Sequence, residues 1–589
     1  MAALGIYTAI WTAKVVRRSF SPAIDWDQWD VVKDLLRSRG HITAKLLWAQ
    51  HNEHRIPFGR LACYADLRWF GGRNVSLLLE NYLIHMAALG IFAVMLHRFG
   101  RLSRSANLGL LGFTAFCVFS PIQIDNFVRG FQVTFVLCIL AAMLAFSAAV
   151  LHKSVGDEPG SRSLSSYLGG ALFFAVIAEF SLSSGLLVWP ILLLLGYGLR
   201  FSRATQLLIL SAGTVAIGAY FTHFFLPGHE TKPFESLSHP LDLWRYVLMY
   251  FGSTWRDYRL QPIGPLAWLV PVTASTWSTV VDLLTATALG LGGFFAIRFL
   301  IRRTDDGLSG FLFANTVFAI FGATITGLGR LKSGLAQAAS NRYQTIALLF
   351  WASLVIWIFT KISGQRRWTK LLAAQVILVV MMGTAVPRFH VYKQYAMERK
   401  AALAAAFRSL MQGSEDPSRL AILSPAPSMI PELFSYLESK GWGPSASDFG
   451  ALVGVRNGEQ DFGETQHARS APLKVDGHAV TPRALCEGFL DKVTGPDSSG
   501  QLAATGWAWD WTEQEPAKQI LLVLTTGRVV GQTGTGLPRP DVPKNVTGIV
   551  AEDTGWATKA NIPSNAVLRA FVVVDDGKSA CPLKGEFRR

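Results

Sequence analysis

The sequence predicts an α-helical polytopic membrane protein with about eleven transmembrane helices and a C-terminal extracytoplasmic β-sandwich. Three observations lead there. Half of the 589 residues are hydrophobic and only 16% are charged, with a mean hydropathy of +0.31, too apolar for a soluble enzyme of this size to keep its surface polar. Apolar runs near the bilayer-spanning length of about 20 residues recur as far as residue 386. From Cys486 on, the pattern changes to short alternating runs separated by Gly, Pro and Asp.

The first run, MAALGIYTAIWTA, ends at Lys14 and has neither the charged start nor the cleavage site of a signal peptide. It reads as a short first span, followed by the basic KVVRR at 14–18. Further runs lie at 76–96, 106–122, 131–151, 165–180, 185–198, 205–226, 281–300, 310–328, 344–360 and 369–386. The formal charge of +15 concentrates in short loops: HRFGRLSR at 97–104, LRFSR at 199–203, RFLIRR at 298–303 and KISGQRRWTK at 361–370. With these spans all four fall on one face, the positive-inside signature of the cytoplasmic side, so the charge marks topology and not nucleic-acid binding.

The opposite face collects residues 14–75, 120–130, 181–184, 227–280, 329–344 and everything after 387. Residues 1–386 thus read as the transmembrane domain, with 14–75 its large first outer loop. Residues 387–474 read as an amphipathic helix (387–411), a small α/β connector with a strand-like LAIL, and a polar linker; 475–589 form the sandwich. Cys486 opens its first strand and Cys581 closes its last, which on the oxidising side of a membrane predicts a disulfide. Cys63, Cys117 and Cys138 show no metal spacing and read as buried thiols. In GWAWDW (506–511), Trp507 and Trp509 alternate as sheet-core residues should, although exposed tryptophans would also stack on sugar rings.

Chemistry concentrates in residues 25–60. A helix over 27–37 aligns Trp29, Val32 and Leu36 in an apolar stripe and Asp27, Asp30 and Asp34 in a polar one, the pattern of a helix on the membrane surface. Asp25 and Asp27 precede it and are of the type that serves as a general base or holds a hard divalent cation such as Mg or Mn. HNEHR at 51–55 supplies His51, Glu53, His54 and Arg55, neighbours if the stretch were helical. The HExxH spacing of zinc proteases is absent, so an acid pair of Asp25 or Asp27 with Glu53, beside phosphate-handling His and Arg, is the better reading, against a merely solvated loop.

Elsewhere on the outer face, Asn126, Arg129 and Gln132 lie at span ends, where they would bind sugar hydroxyls or a phosphate, or cap the helices. Arg330, Lys332 and Arg342, with Tyr343 beside them, oppose the positive-inside rule, and a lipid phosphate supplies a reason for them. Trp255 and Arg256 have the character of sugar-site residues.

One short span, a large outer loop with acids immediately after it, and many further spans with polar stretches on the outer face together resemble the GT-C class of polytopic glycosyltransferases. The resemblance covers residues 1–386 and implies transfer of a hexosyl or pentosyl unit from a polyprenyl-phosphate or polyprenyl-diphosphate donor on the extracytoplasmic side. Its acidic motif implies a catalytic carboxylate at Asp25 or Asp27, with Glu53 a further candidate. The expected acceptor is a glycan, lipid or protein of the cell envelope, and the expected location a bacterial-type inner membrane. A flippase of lipid-linked sugars would place polar groups through the midplane, and an envelope scaffold would tolerate substitution of the acids at 25–60.

Overall fold

The computed structural model describes residues 1–589 apart from 156–164, 226–232, 256–273, 305, 363–366, 445–473, 477, 481–482, 499, 547, 564–565 and 575–577. The chain divides into two compact units. The first comprises Met1–Ser21, Glu53–Phe70 and Asn74–Ala402; the second comprises Pro22–Asn52, Gly71–Arg73 and Leu403–Arg589. The expected boundaries were different, with the first outer loop grouped with the membrane helices.

In chain order the helices are α1 (Ala2–Arg18), α2 (Gln28–Arg37), α3 (Ala44–Trp48), α4 (Pro57–Phe70), α5 (Val75–Phe99), α6 (Arg104–Val118) and α7 (Asp125–Val128). There follow α8 (Val133–Ser154), α9 (Ser166–Glu179), α10 (Val188–Gly198), α11 (Arg203–Tyr220), α12 (Pro233–Leu237) and α13 (Pro240–Gly252). The series ends with α14 (Ala274–Arg302), α15 (Gly307–Arg330), α16 (Gln344–Ile362), α17 (Arg367–Met411), α18 (Pro417–Leu420) and α19 (Ile430–Ser439).

Each of the eleven apolar stretches falls largely within a helix. Among the described residues, seven helices are long and apolar enough to cross a membrane, and two more, at Ser166–Glu179 and Ser183–Gly198, are apolar but shorter. This is a multi-pass membrane protein. Within the first unit, α8 and α15 are the most buried spans, while α5 and α14 are mostly uncovered. Leu79 and Leu83 on α5 and Leu283 and Phe294 on α14 are apolar and exposed, as lipid-facing positions require. Helices α1 and α6 touch at glycines: a Cβ on Gly5 would lie 2.3 Å from the Gly112 carbonyl oxygen, the close backbone approach that small residues permit between membrane helices.

Three local expectations are corrected. The amphipathic helix expected from 387 is continuous with the preceding span in the single 45-residue α17. LAIL is not a strand: Asp416 accepts a hydrogen bond from Ser418 N at 2.9 Å and starts the helical turn α18. HNEHR is not helical; Asn52 takes a left-handed φ of 49° between two short extended pairs, β1 (Gln50–His51) and β2 (His54–Arg55), a conformation Asn tolerates better than most residues. The linker expected at 456–474 lies almost wholly outside the described residues.

In the second unit, β3 (Lys474–Val475), β4 (His478–Val480), β5 (Cys486–Thr494), β6 (Leu502–Asp510), β7 (Glu515–Pro516), β8 (Ile520–Leu524), β9 (Val529–Thr533), β10 (Gly555–Ala560), β11 (Val567–Val574) and β12 (Ser579–Arg588) form a β-rich domain. The strand order is β10-β6-β5-β12-β11-β8-β9. Leu490, Leu502 and Trp556 from β5, β6 and β10 share one core with Leu522, Val572 and Leu583 from β8, β11 and β12. A disulfide joins Cys486 to Cys581, Cα atoms 6.0 Å apart, and Cys63, Cys117 and Cys138 are free and buried. Trp509 is buried with Trp511 against Val542 and Ile549, and Trp507 is partly buried against the same cluster, so Trp509 is core and Trp507 lies at its edge.

Candidate functional site

In the second unit the apolar stripe of α2 meets protein. Trp29, Val32 and Leu36 are all buried; the Trp29 ring stacks on Phe407 at 6.2 Å, and Phe407 packs edge-on against Phe434 of α19 at 5.9 Å. Arg37, in the last turn, donates to Ala484 O at 3.0 Å and lies 3.8 Å over the Trp511 ring. The interfacial-helix expectation is thereby corrected, because other parts of the same unit cover the stripe.

The turn into α2 separates the two leading acids. Trp26 sits between them at φ 52°, a left-handed backbone that a bulky residue adopts only when its surroundings impose it. Asp25 is buried, with 4% of its surface exposed, while Trp26 points outward at 41%. Asp27 is the N-cap of α2, yet its carboxylate makes no capping hydrogen bond to the helix. It joins Asp30, one turn on, and His51: ligand-type atoms of these three lie within 4.8 Å of one another. Lys33 contacts Asp30 Oδ1 at 2.5 Å. Burial opposes ionisation of Asp30, but Lys33, His51 and Arg37 outweigh it and hold the carboxyl below its ordinary range. Of the pair expected to bind a cation, only Asp27 belongs to this group. Asp30, read from sequence as part of an ordinary polar stripe, is the addition. The signal for it was its place one turn after Asp27 on the same face.

As a donor set, two carboxylates and an imidazole fit a divalent ion, and the imidazole favours Mn²⁺ over Mg²⁺, which prefers all-oxygen ligands.

In the first unit, Glu53 is the centre of a different network. Its Oε1 meets Arg330 at 2.7 Å and His54 Nε2 at 3.2 Å. His54 Nδ1 accepts from Ser183 N at 3.3 Å, so a neutral ring carries its proton on Nε2, towards Glu53. Tyr220 Oη donates to Glu53 O at 2.9 Å. Burial pushes the Glu53 carboxyl up, but His54 and Arg330 dominate and bring it to about 2. A carboxylate so firmly ionised is a weak general base near neutral pH.

The other expected binding residues divide by what they hold. Arg55, 3% exposed, donates from Nε to Tyr220 O at 2.6 Å and also to Thr222 O, closing the C-terminal end of α11. Asn126 Nδ2 bonds Thr345 Oγ1 at 2.7 Å and Arg342 O at 3.2 Å. Arg129 pairs with Asp125 at 3.3 Å, and Gln132 is buried. Lys332 pairs with Glu235 at 2.8 Å. The Trp255 ring packs edge-on against Trp351 at 5.5 Å, beneath the Arg388 guanidinium; Arg256 lies outside the described residues. Arg342 lies 5.1 Å over the Tyr343 ring and has no carboxylate partner among the described residues.

No protein-family model matches the chain, and no curated protein does. Among solved structures, the archaeal oligosaccharyltransferase AglB from Archaeoglobus fulgidus, in complex with an inhibitory peptide and a dolichol-phosphate, is similar at a TM-score of 0.38 and 12% identity. The likeness covers 71% of this chain and 58% of that one, less than two thirds of its length. Nothing about reaction or ligands follows from a likeness at that level.

Proposed function

We propose that this protein is a glycosyltransferase that moves a sugar from a polyprenyl-phosphate-linked donor to a cell-envelope acceptor, on the outer face of a bacterial-type inner membrane. The observation that carries the reading is the Asp27–Asp30–His51 group, built on a protein-covered helix that follows the first apolar helix of a multi-pass chain. Asp27 accepts the proton of the acceptor hydroxyl as that oxygen forms its bond to the anomeric carbon. The bond from that carbon to the lipid phosphate oxygen breaks, and the phosphate leaves with the electron pair. Asp30, ionised beside Lys33, and His51 fix the position of Asp27. A divalent cation held by the same three residues would supply electrostatic stabilisation of developing negative charge. Glu53 serves as the counter-ion of Arg330 and leaves the base role to Asp27.

The test is transfer from a synthetic polyprenyl-phosphate sugar by the purified full chain. Asp27→Asn is expected to lower the rate by about 10²-fold or more, the usual worth of a positioned base, with folding unchanged. Transfer within a few-fold of wild type would remove Asp27 from the mechanism.

A further inference from the structure

Helix α13 carries Tyr246 and Tyr250, one turn apart and both with 0% of their surface exposed. The phenol oxygens of both, and Nε of Arg342, are buried without a hydrogen-bond partner among the described residues. Buried polar groups are nearly always paired, and Tyr250 has the Thr326 hydroxyl beside it, so it is the Tyr246 phenol and Arg342 Nε that call for a ligand. They belong to one cluster. Tyr250 stacks on Tyr343 with ring centres 5.5 Å apart, and Arg342 donates to Tyr343 Oη at 3.4 Å while lying over its ring. Tyr246 is near enough to feel the same groups: burial pushes its phenol up, Tyr343 adds to this, and Arg342 and Arg330 act against it. The helix is held close, since a Cβ on Gly327 of α15 would lie 3.0 Å from the Tyr246 ring.

The neighbouring cations are already matched, Arg330 by Glu53 and Lys332 by Glu235. Arg342 is the half-buried cation that has no carboxylate among the described residues. A guanidinium nitrogen can only donate, and a phenol beside it is free to donate. What the cluster lacks is an acceptor carrying negative charge. We propose that Tyr246, Tyr250 and Arg342 form a pocket for a phosphoryl group, the phosphate of the lipid-linked donor. This rests on the transferase reading for the donor's identity and adds two tyrosines to the residues that hold it. Tyr246 bears most of the argument, because the Thr326 hydroxyl lies close to the Tyr250 phenol while donating to Gly322 O at 2.8 Å.

The test uses the full chain in nanodiscs, with inorganic phosphate and a short-chain polyprenyl phosphate as separate probes, followed by ³¹P NMR titration. Tyr246→Phe is expected to weaken binding about 10- to 100-fold, as loss of a hydrogen bond to a charged group does. Arg342→Gln should weaken it further. Without phosphate, Tyr246→Phe should leave the protein as heat-stable as wild type or more so, since it removes an unpaired buried hydroxyl. A hydroxyl with a purely structural bond would show the reverse. Weakening for both probes identifies a pocket that reads the phosphoryl group alone. Weakening for the lipid probe only identifies a site that also needs the chain. Binding of both probes within twofold of wild type in Tyr246→Phe, or loss of heat stability without phosphate, overturns the proposal. If the wild type binds the lipid phosphate but never transfers a sugar, the transferase reading fails and the pocket stands.

Discussion

The Glu53–Arg330 pair should carry a measurable share of the first unit's stability. Its carboxyl is brought from 4.5 to about 2, which at ~1.4 kcal/mol for each tenfold change in proton affinity corresponds to about 3 kcal/mol. One fifth of the Glu53 side chain is exposed and His54 shares the charge, so we expect roughly 2 kcal/mol from the pair with Arg330. Glu53→Gln removes the carboxylate charge that meets Arg330, and Arg330→Gln removes the guanidinium charge from the same pair. A double-mutant cycle read by thermal unfolding of the detergent-solubilised chain should return a coupling of about 2 kcal/mol. The sign with pH follows from a folded-state pKa below the unfolded one. The contribution is complete above pH 4.5, declines as pH falls towards about 2, and should be missing from Glu53→Gln throughout that window. A coupling below about 0.5 kcal/mol, or an unchanged acid profile in Glu53→Gln, would refute the reasoning.

Three further outcomes are expected. Asp25→Asn should cost stability while Asp27→Asn costs transfer, because Asp25 is buried and Asp27 belongs to the carboxylate–imidazole group; equal loss of transfer in both, at equal stability, would count against that division. Mn²⁺ binding, read by electron paramagnetic resonance, should fall at least about tenfold in Asp30→Asn and in His51→Ala, as loss of one of three ligands requires. Reduction of the Cys486–Cys581 disulfide, which spans 95 residues of sequence, should destabilise the β-rich domain by about 4 kcal/mol, seen as a lower unfolding temperature in reductant and no further change in Cys581→Ser under the same reductant.

Much of the architecture was legible because length and apolarity govern membrane helices, and each of the eleven apolar stretches falls largely within a helix. Where the reading failed, a local signal was overridden. The span at 369–386 and the amphipathic helix at 387–411, read as separate elements, are one helix in α17, and the four-residue apolar run at 420–423 was too short to distinguish a strand from the turn that follows α18. The candidate site was legible in residue type but not in partnership. Sequence could mark Glu53, Arg330 and Lys332 as charges needing a reason, yet not that Glu53 lies 2.7 Å from Arg330 and Glu235 2.8 Å from Lys332, because pairs 277 and 97 residues apart leave no local pattern. Tyr246 and Tyr250 were missed for the opposite reason. Tyrosines on an apolar helix face read as packing, and what sets Tyr246 apart is a buried hydroxyl with no hydrogen-bond partner among the described residues.

The apolar stripe of α2 is where fold and proposed chemistry connect. A helix lying on a bilayer would let Asp27 and Asp30 move with the lipid surface, whereas Trp29 packed on Phe407 and Arg37 anchored to Ala484 and Trp511 fix both ends of the ten-residue helix to one protein unit. Proton transfer needs donor and acceptor within hydrogen-bond reach, so a base gains from such anchoring. The left-handed turn at Trp26 serves the same end: it buries Asp25 and leaves Asp27 beside Asp30 and His51. Backbone strain of this kind persists only where surrounding contacts enforce it. The burial of Trp29, Val31, Val32 and Leu35 on the following turns supplies that enforcement.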